Sequence, residues 1–122
     1  MPRKTLKLLD DIRDAAAFIL ELVRERTLAD YESNRALRQA AERNFEIIGE
    51  AMNRIVKDDP ATAERIGDYP RIIAFRNLLI HGYDLIEDKR VWQIIQEQLP
   101  ALERTVDAIL REVGGKGQDA ND

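Results

Sequence analysis

An all-α fold, an antiparallel up-down bundle of four to five helices that forms a homodimer, is the fold class the sequence predicts. Three observations carry it. Turn formers are scarce: 122 residues hold 6 Gly and 4 Pro, and three of the glycines fall together in Gly114-Gly115-Lys116-Gly117. A sandwich of short strands, or an alternation of strands and helices, needs more breakers than this. Apolar residues instead recur at steps of three and four along three long stretches, the period of one helix face. A chain of 14.0 kDa with 44% hydrophobic residues is also large enough to close one core without disulfides, and it holds no cysteine. One domain is expected over residues 1–113.

The first helix is read from Lys4 to Arg24, where Leu6, Leu9, Ile12, Ala16, Ile19 and Val23 form one stripe. The period fails over Glu25 to Ser33, read as a loop, with Ser33 or Asn34 available as the next N-cap. A second long helix carries Leu37, Ala41, Asn44, Ile48, Ala51 and Ile55, flanked by Phe45 and Met52. Asp58-Asp59-Pro60 stops it, because the residue before a proline avoids the helical region. Residues 61–67 suit one short helical turn closed by Gly67. Pro70 fits the first position of a third helix, where its missing N–H costs nothing. That helix should run to His81, with Gly82 as a left-handed C′ residue. The last helix starts near Asp88 and places Trp92, Ile95, Leu99, Leu102, Val106, Ile109 and Val113 on an unbroken heptad seam. Since the seam keeps its register across Pro100, a bend and not a break is expected there. Residues 114–122 read as a flexible tail. Phe45, Ile47, Ile94 and Leu110 are surplus to what a lone bundle needs, and a homodimer is the simplest outlet for them.

The absence of cysteine excludes a thiol nucleophile and any Cys-based metal site. No apolar run suits a signal peptide or a membrane span, so a cytoplasmic protein without a membrane partner is expected. The net charge of −4 argues against binding nucleic acid by bulk attraction, and no DNA partner is expected. The count of 14 Arg against 5 Lys suits either surface helical ion pairs or directed contacts to phosphate.

Chemistry concentrates in the third helix. Ile72, Ile73, Phe75, Leu78, Leu79 and Ile80 place apolar side chains on nearly every side, so this helix should be largely buried, yet it contains Arg76, Asn77 and His81, the only histidine. A cation buried without partners is costly. Asn77 and His81 are one turn apart, about 40° around the axis, so the amide could hold the imidazole in one tautomer. Arg76 and His81 are about 140° apart, and sharing a ligand needs a reaching guanidinium, unwinding at Gly82 or a second subunit. Plain structural roles are also open. His81 could cap the helix C-terminus, Arg76 could pair with Glu46 or Glu50, and Tyr83 could close the bundle end.

The run Arg76-Asn77-Leu78-Leu79-Ile80-His81-Gly82-Tyr83 resembles the RX4HXY signature of HepT-like toxins in the HEPN superfamily. The segment Ala41-Glu42-Arg43-Asn44-Phe45-Glu46-Ile47-Ile48-Gly49-Glu50-Ala51 is similar to that family's second helix, and the likeness spans residues 4–113. It implies an all-α bundle dimerised so that two motifs face one cleft. It also implies a metal-independent endoribonuclease toxin of a type VII toxin–antitoxin system, acting on tRNA or mRNA with no cofactor. The implied partner is an MntA-type nucleotidyltransferase antitoxin that attaches AMP to the motif tyrosine, here Tyr83. Cleavage by the 2′-OH needs a proton acceptor, a proton donor and charge stabilisation at phosphorus. In that scheme His81, as an imidazole, exchanges protons near neutral pH, Arg76 meets the phosphoryl oxygens, and Asn77 orients His81 or donates to phosphate. Arg43 and Arg71 are further candidates for RNA contact. A non-catalytic helical subunit that binds a minimal nucleotidyltransferase is the alternative.

Overall fold

The structure, a computed structural model, describes residues 1–121, without the side chains of Tyr83 and residues 115–121. Of the tail expected over 114–122, the backbone is helical to Asn121, and Asp122 lies outside the described residues. Seven α-helices and no strand occur among the described residues: α1 (Arg3–Leu22), α2 (Leu28–Ser33), α3 (Arg35–Asp58), α4 (Pro60–Ile66), α5 (Tyr69–His81), α6 (Asp88–Glu97) and α7 (Leu99–Asn121). One 3-10 turn, Tyr83–Leu85, joins α5 to α6.

Helix α3 is the hub, with α1 on one side, α5 on another and α4 at its C-terminal end, while α7 closes the far side of α1. The core is the expected set of stripes meeting: Leu9, Ile12, Ala16 and Ile19 from α1, Ala41, Ile48, Met52 and Ile55 from α3, and Val91, Ile95 and Val106 beyond them. No helix among the described residues is long and apolar enough to cross a membrane.

The count exceeds the four to five expected because of two differences. Residues 28–33 are helical, not loop. Thr27 and Asp30 form a reciprocal capping box, in which the Thr27 side chain accepts from Asp30 N at 3.2 Å and Asp30 Oδ2 accepts from Thr27 N at 2.9 Å. Asn34 then caps α3 by accepting from Leu37 N. The last helix also breaks at Gln98 instead of bending. Pro100 has no N–H to bond the Gln96 carbonyl, and its fixed φ fits the first turn of a new helix. Ile95, Leu99 and Val106 stay buried on both sides of the break, so the heptad seam survives it.

Helix α5 departs furthest from expectation. Of its residues only Leu79 is buried, whereas Leu78 and Ile80 are 39% and 36% exposed and Leu85, just past it, is 72% exposed. The helix leans on α3 but stands off from α6 and α7, leaving an apolar groove of about 520 Å3 floored by Phe45 and Ile48 and walled by Ile72, Phe75 and Ile94. The apolar surplus expected from Phe45, Ile47, Ile94 and Leu110 is mostly taken up inside the chain. Phe45 is buried, edge-on to Phe75 with centroids 5.1 Å apart, and the other three are partly buried. The exposed apolar side chains are instead Leu78 and Ile80 on α5, Leu85 just past it, and Met1 and Phe18 at and along α1.

Candidate active site

The site is set by how α5 is launched and how closely it lies on α3. Gly67 ends α4 at φ 73°, ψ 166°, a combination that only glycine adopts readily, and Asp68 follows at φ 51°. These two residues reverse the chain, and Pro70 in the first turn continues it into α5. One turn before the end, the stem of Arg76 crosses α3 at Gly49. A Cβ on Gly49 would sit 2.1 Å from Arg76 Cβ and 2.4 Å from its Cγ. The absent side chain at position 49 is what admits the arginine.

The guanidinium is then held at both terminal nitrogens. Arg76 Nη2 donates to Glu50 Oε2 at 2.9 Å, and Nη1 donates to Asn77 Oδ1 at 2.9 Å. Its Nε is buried and meets no acceptor among the described residues. The Glu50 carboxylate is shared, since Oε1 accepts from Arg54 Nε at 3.2 Å. Of the two structural partners open to Arg76 on sequence grounds, Glu50 is the one used. Arg76 lines a cavity of about 290 Å3 between α1, α3 and α5, together with Arg43, Glu46, Arg54 and Ile80.

The expected Asn77–His81 bond is not formed. The Asn77 oxygen faces Arg76, so its amide N–H groups, donors only, are what it can offer elsewhere. His81 is exposed in the last turn of α5, where the helix dipole favours a cation. Among the described residues it is bonded neither to Arg76 nor to Asn77 nor to the final carbonyls, so a C-capping role is not realised. Gly82 is not left-handed either: it has φ −123° and ψ 36°. Its N–H closes on Leu78 O and its carbonyl accepts from Leu85 N, each at 2.8 Å, so the chain leaves α5 through the 3-10 turn. Glycine suits this position for space, since a Cβ would lie 3.0 Å from Leu78 Cδ1 and 3.3 Å from Leu78 O.

Arg43 and Arg71 part company. Arg43 shares the cavity of Arg76, whereas Arg71 borders the apolar groove and pairs with Asp68 at 3.7 Å. The Tyr83 side chain lies outside the described residues. Among the described residues no cluster of His, Asp or Glu is arranged to hold a metal ion. The residues that sequence reasoning did not single out are Gly49 and Arg54. A lone glycine inside a long helical pattern is the signal that marks a close approach of two backbones.

A profile of the family described as Ribonuclease HepT-like matches residues 12–109. The chain belongs to the HepT-like ribonuclease family. It is similar to a provisionally assigned ribonuclease HepT of Thermococcus cleftensis, 30% identical over 102 residues that cover 84% of this chain and 92% of that protein. It is also similar to a provisionally assigned RNase, MJ1216, of Methanocaldococcus jannaschii, 26% identical over 121 residues covering 98% of this chain and 99% of the relative. A third such RNase, TTE0752 of Caldanaerobacter subterraneus, is 29% identical over 104 residues, 85% of this chain. No solved structure is a significant match.

Proposed function

We propose that this HepT-like protein is a metal-independent endoribonuclease toxin that cuts tRNA or mRNA as a homodimer. The observation that carries the reading is a guanidinium fixed at both ends one turn before an exposed histidine, on the helix that holds the family motif. Each Nη of Arg76 has a second N–H beyond its bond to Glu50 or Asn77. The head can therefore meet phosphoryl oxygens while remaining anchored. His81 of one copy takes the 2′-OH proton as O2′ attacks phosphorus, and the departing O5′ receives a proton from His81 of the second copy. The products are a 2′,3′-cyclic phosphate and a 5′-hydroxyl. Arg76 offsets the charge that builds on the phosphoryl oxygens, and the Asn77 N–H groups can donate to the same phosphate. Arg43, on the same cavity, is the better placed of the two further arginines, and Arg71 is better read as groove-lining.

The dimer supplies the second histidine. Leu78, on the apolar groove, Ile80, on the cavity of Arg76, and Leu85 are all exposed, and a two-fold axis near α5 would let each copy cover the other while bringing the two motifs together. Regulation belongs to the same reading and rests on the place of Tyr83 in the sequence, two residues past His81. A nucleotidyltransferase of the MntA type would transfer AMP from ATP to the phenol oxygen of Tyr83 with loss of pyrophosphate, adding bulk and negative charge two residues from His81.

Induced expression tests the whole reading. Growth should arrest with the wild type and continue with His81→Ala, and a co-expressed cognate nucleotidyltransferase should relieve the arrest only when Tyr83 is present. Arrest that persists in His81→Ala would remove the catalytic role. No arrest and no RNA cleavage by unmodified protein would leave a non-catalytic subunit that binds the nucleotidyltransferase.

A further inference from the structure

We infer that Glu50 is a positioning residue for Arg76, one that fixes the guanidinium without neutralising it; this rests on the ribonuclease reading of the site. Three features of α3 converge on one side chain. Gly49 admits the stem, since any Cβ there would overlap Arg76 Cβ and Cγ. Glu50 Oε2 takes one N–H of Nη2 at 2.9 Å. Arg54 occupies the other oxygen of the same carboxylate at 3.2 Å. Two cations therefore share one anion, and the trio keeps a net positive charge. Asn77 Oδ1 holds Nη1 at 2.9 Å, so the guanidinium plane is set by two anchors on different helices. A carboxylate paired with Arg76 alone would compete with RNA phosphate for it. One split between Arg54 and Arg76 can remain in place while the spare N–H of each Nη turns to the ligand. The Arg76 side chain is 25% exposed and that of Glu50 42%, so the arginine head is open to an anion at the cavity it shares with Arg43.

The test is steady-state cleavage of an RNA that the wild type cuts, measured for Glu50→Gln, Arg76→Ala and the double variant, with thermal unfolding of each alongside. Glu50→Gln keeps an acceptor and removes the charge that orients Arg76. The expected result is a kcat lowered about tenfold, the modest end of what misplacing a positioned group costs, with KM unchanged or lower. In the Arg76→Ala background the same substitution should cost nothing further, since its target is gone. A raised kcat for Glu50→Gln would overturn the inference and make Glu50 a brake. Wild-type kinetics, or a full additive loss in the Arg76→Ala background, would also overturn it. A second measurement does not depend on cleavage. In the wild type the Arg76 Nη groups should rotate slowly in nitrogen-15 NMR, and in Glu50→Gln Nη2, the group bonded to Glu50, should rotate faster. If the wild type cuts no RNA, the ribonuclease reading fails on its own. An Arg76 signal unaltered by Glu50→Gln would still sink the positioning role.

Discussion

Gly49→Ala offers a sharp test of how the site is built, because two physical effects give it opposite signs. In a helix interior alanine is favoured over glycine by about 1 kcal/mol, so propensity alone predicts a more stable protein. The packing predicts the reverse. The new Cβ would lie 2.1 Å from Arg76 Cβ and 2.4 Å from Cγ, whereas real Cβ atoms essentially never come within 3.0 Å of such atoms. Arg76 Cβ is fixed by the backbone, so no rotamer swing relieves that contact, and α5 must recede from α3 by about 0.9 Å. Overpacking of this kind costs about 1–3 kcal/mol. Receding also loosens the Arg76–Glu50 bond and the Phe45–Phe75 ring contact, the latter worth about 0.5–1.5 kcal/mol beyond its area. Net of propensity, a loss of about 1–2 kcal/mol is expected, a fall in Tm of roughly 3–8 °C for a domain of this size. Calorimetry or urea unfolding measures it. Gly114→Ala is the control, since a Cβ there meets nothing within 4 Å; it should be neutral or stabilising. A Gly49→Ala protein as stable as the wild type, or more so, would refute the close approach of α5 to α3.

Other outcomes follow from single contacts. Tyr31 is fully buried, and its hydroxyl meets no acceptor among the described residues. Burial pushes its phenol well up, with Glu42 and Asp88 adding to the effect. Tyr31→Phe should leave stability at pH 7 equal or raise it by up to about 1 kcal/mol. Because the folded phenol holds its proton more tightly, the wild type keeps this stability below the ordinary phenol pKa near 10 and loses it as pH rises further. The variant should lack that alkaline loss in a pH series of unfolding curves. Asp59 caps α4, accepting from Thr62 Oγ1 at 2.8 Å and Thr62 N at 3.3 Å, and these bonds hold its carboxyl below the usual range. Asp59→Ala should cost about 0.5–2 kcal/mol. The wild-type contribution is present above the ordinary carboxyl pKa near 3.9 and lost as pH falls through the lowered one, so the variant should show a shallower acid limb. Leu85→Glu changes a side chain that is 72% exposed, so the folded chain should change in stability by less than about 0.5 kcal/mol. The proposed homodimer should weaken in sedimentation equilibrium, and unchanged association would overturn a dimer built on this face.

The three long helices were legible because their stripes are long, and a core that must meet α1, α3 and α7 has little freedom over which residues it buries. Shorter features depend on single residues. Helix α2 escaped a reading based on periodicity, since six residues show barely two turns, though Thr27 and Asp30 carry its capping box. The heptad seam persists across Pro100, as its register implies; the break itself follows from one missing N–H. The site is visible in the sequence as residue types at a spacing, one that sets Arg76 and His81 about 140° apart around the helix axis. The same spacing misleads about Asn77, because neighbouring side chains on a helix seldom face each other, and only the reach of Arg76 across Gly49 brings its head back to the Asn77 oxygen. The burial expected for α5 failed for a related reason: its apolar residues surround the helix, and one chain covers only the side against α3.

The measurement that bears most directly on the central claim is RNA cleavage in excess EDTA by purified protein whose intact mass shows Tyr83 unmodified, with His81→Ala alongside. The account predicts cleavage by the wild type that leaves 2′,3′-cyclic phosphate ends, and none by the variant. Cleavage abolished by EDTA, or equal cleavage by both proteins, would contradict it.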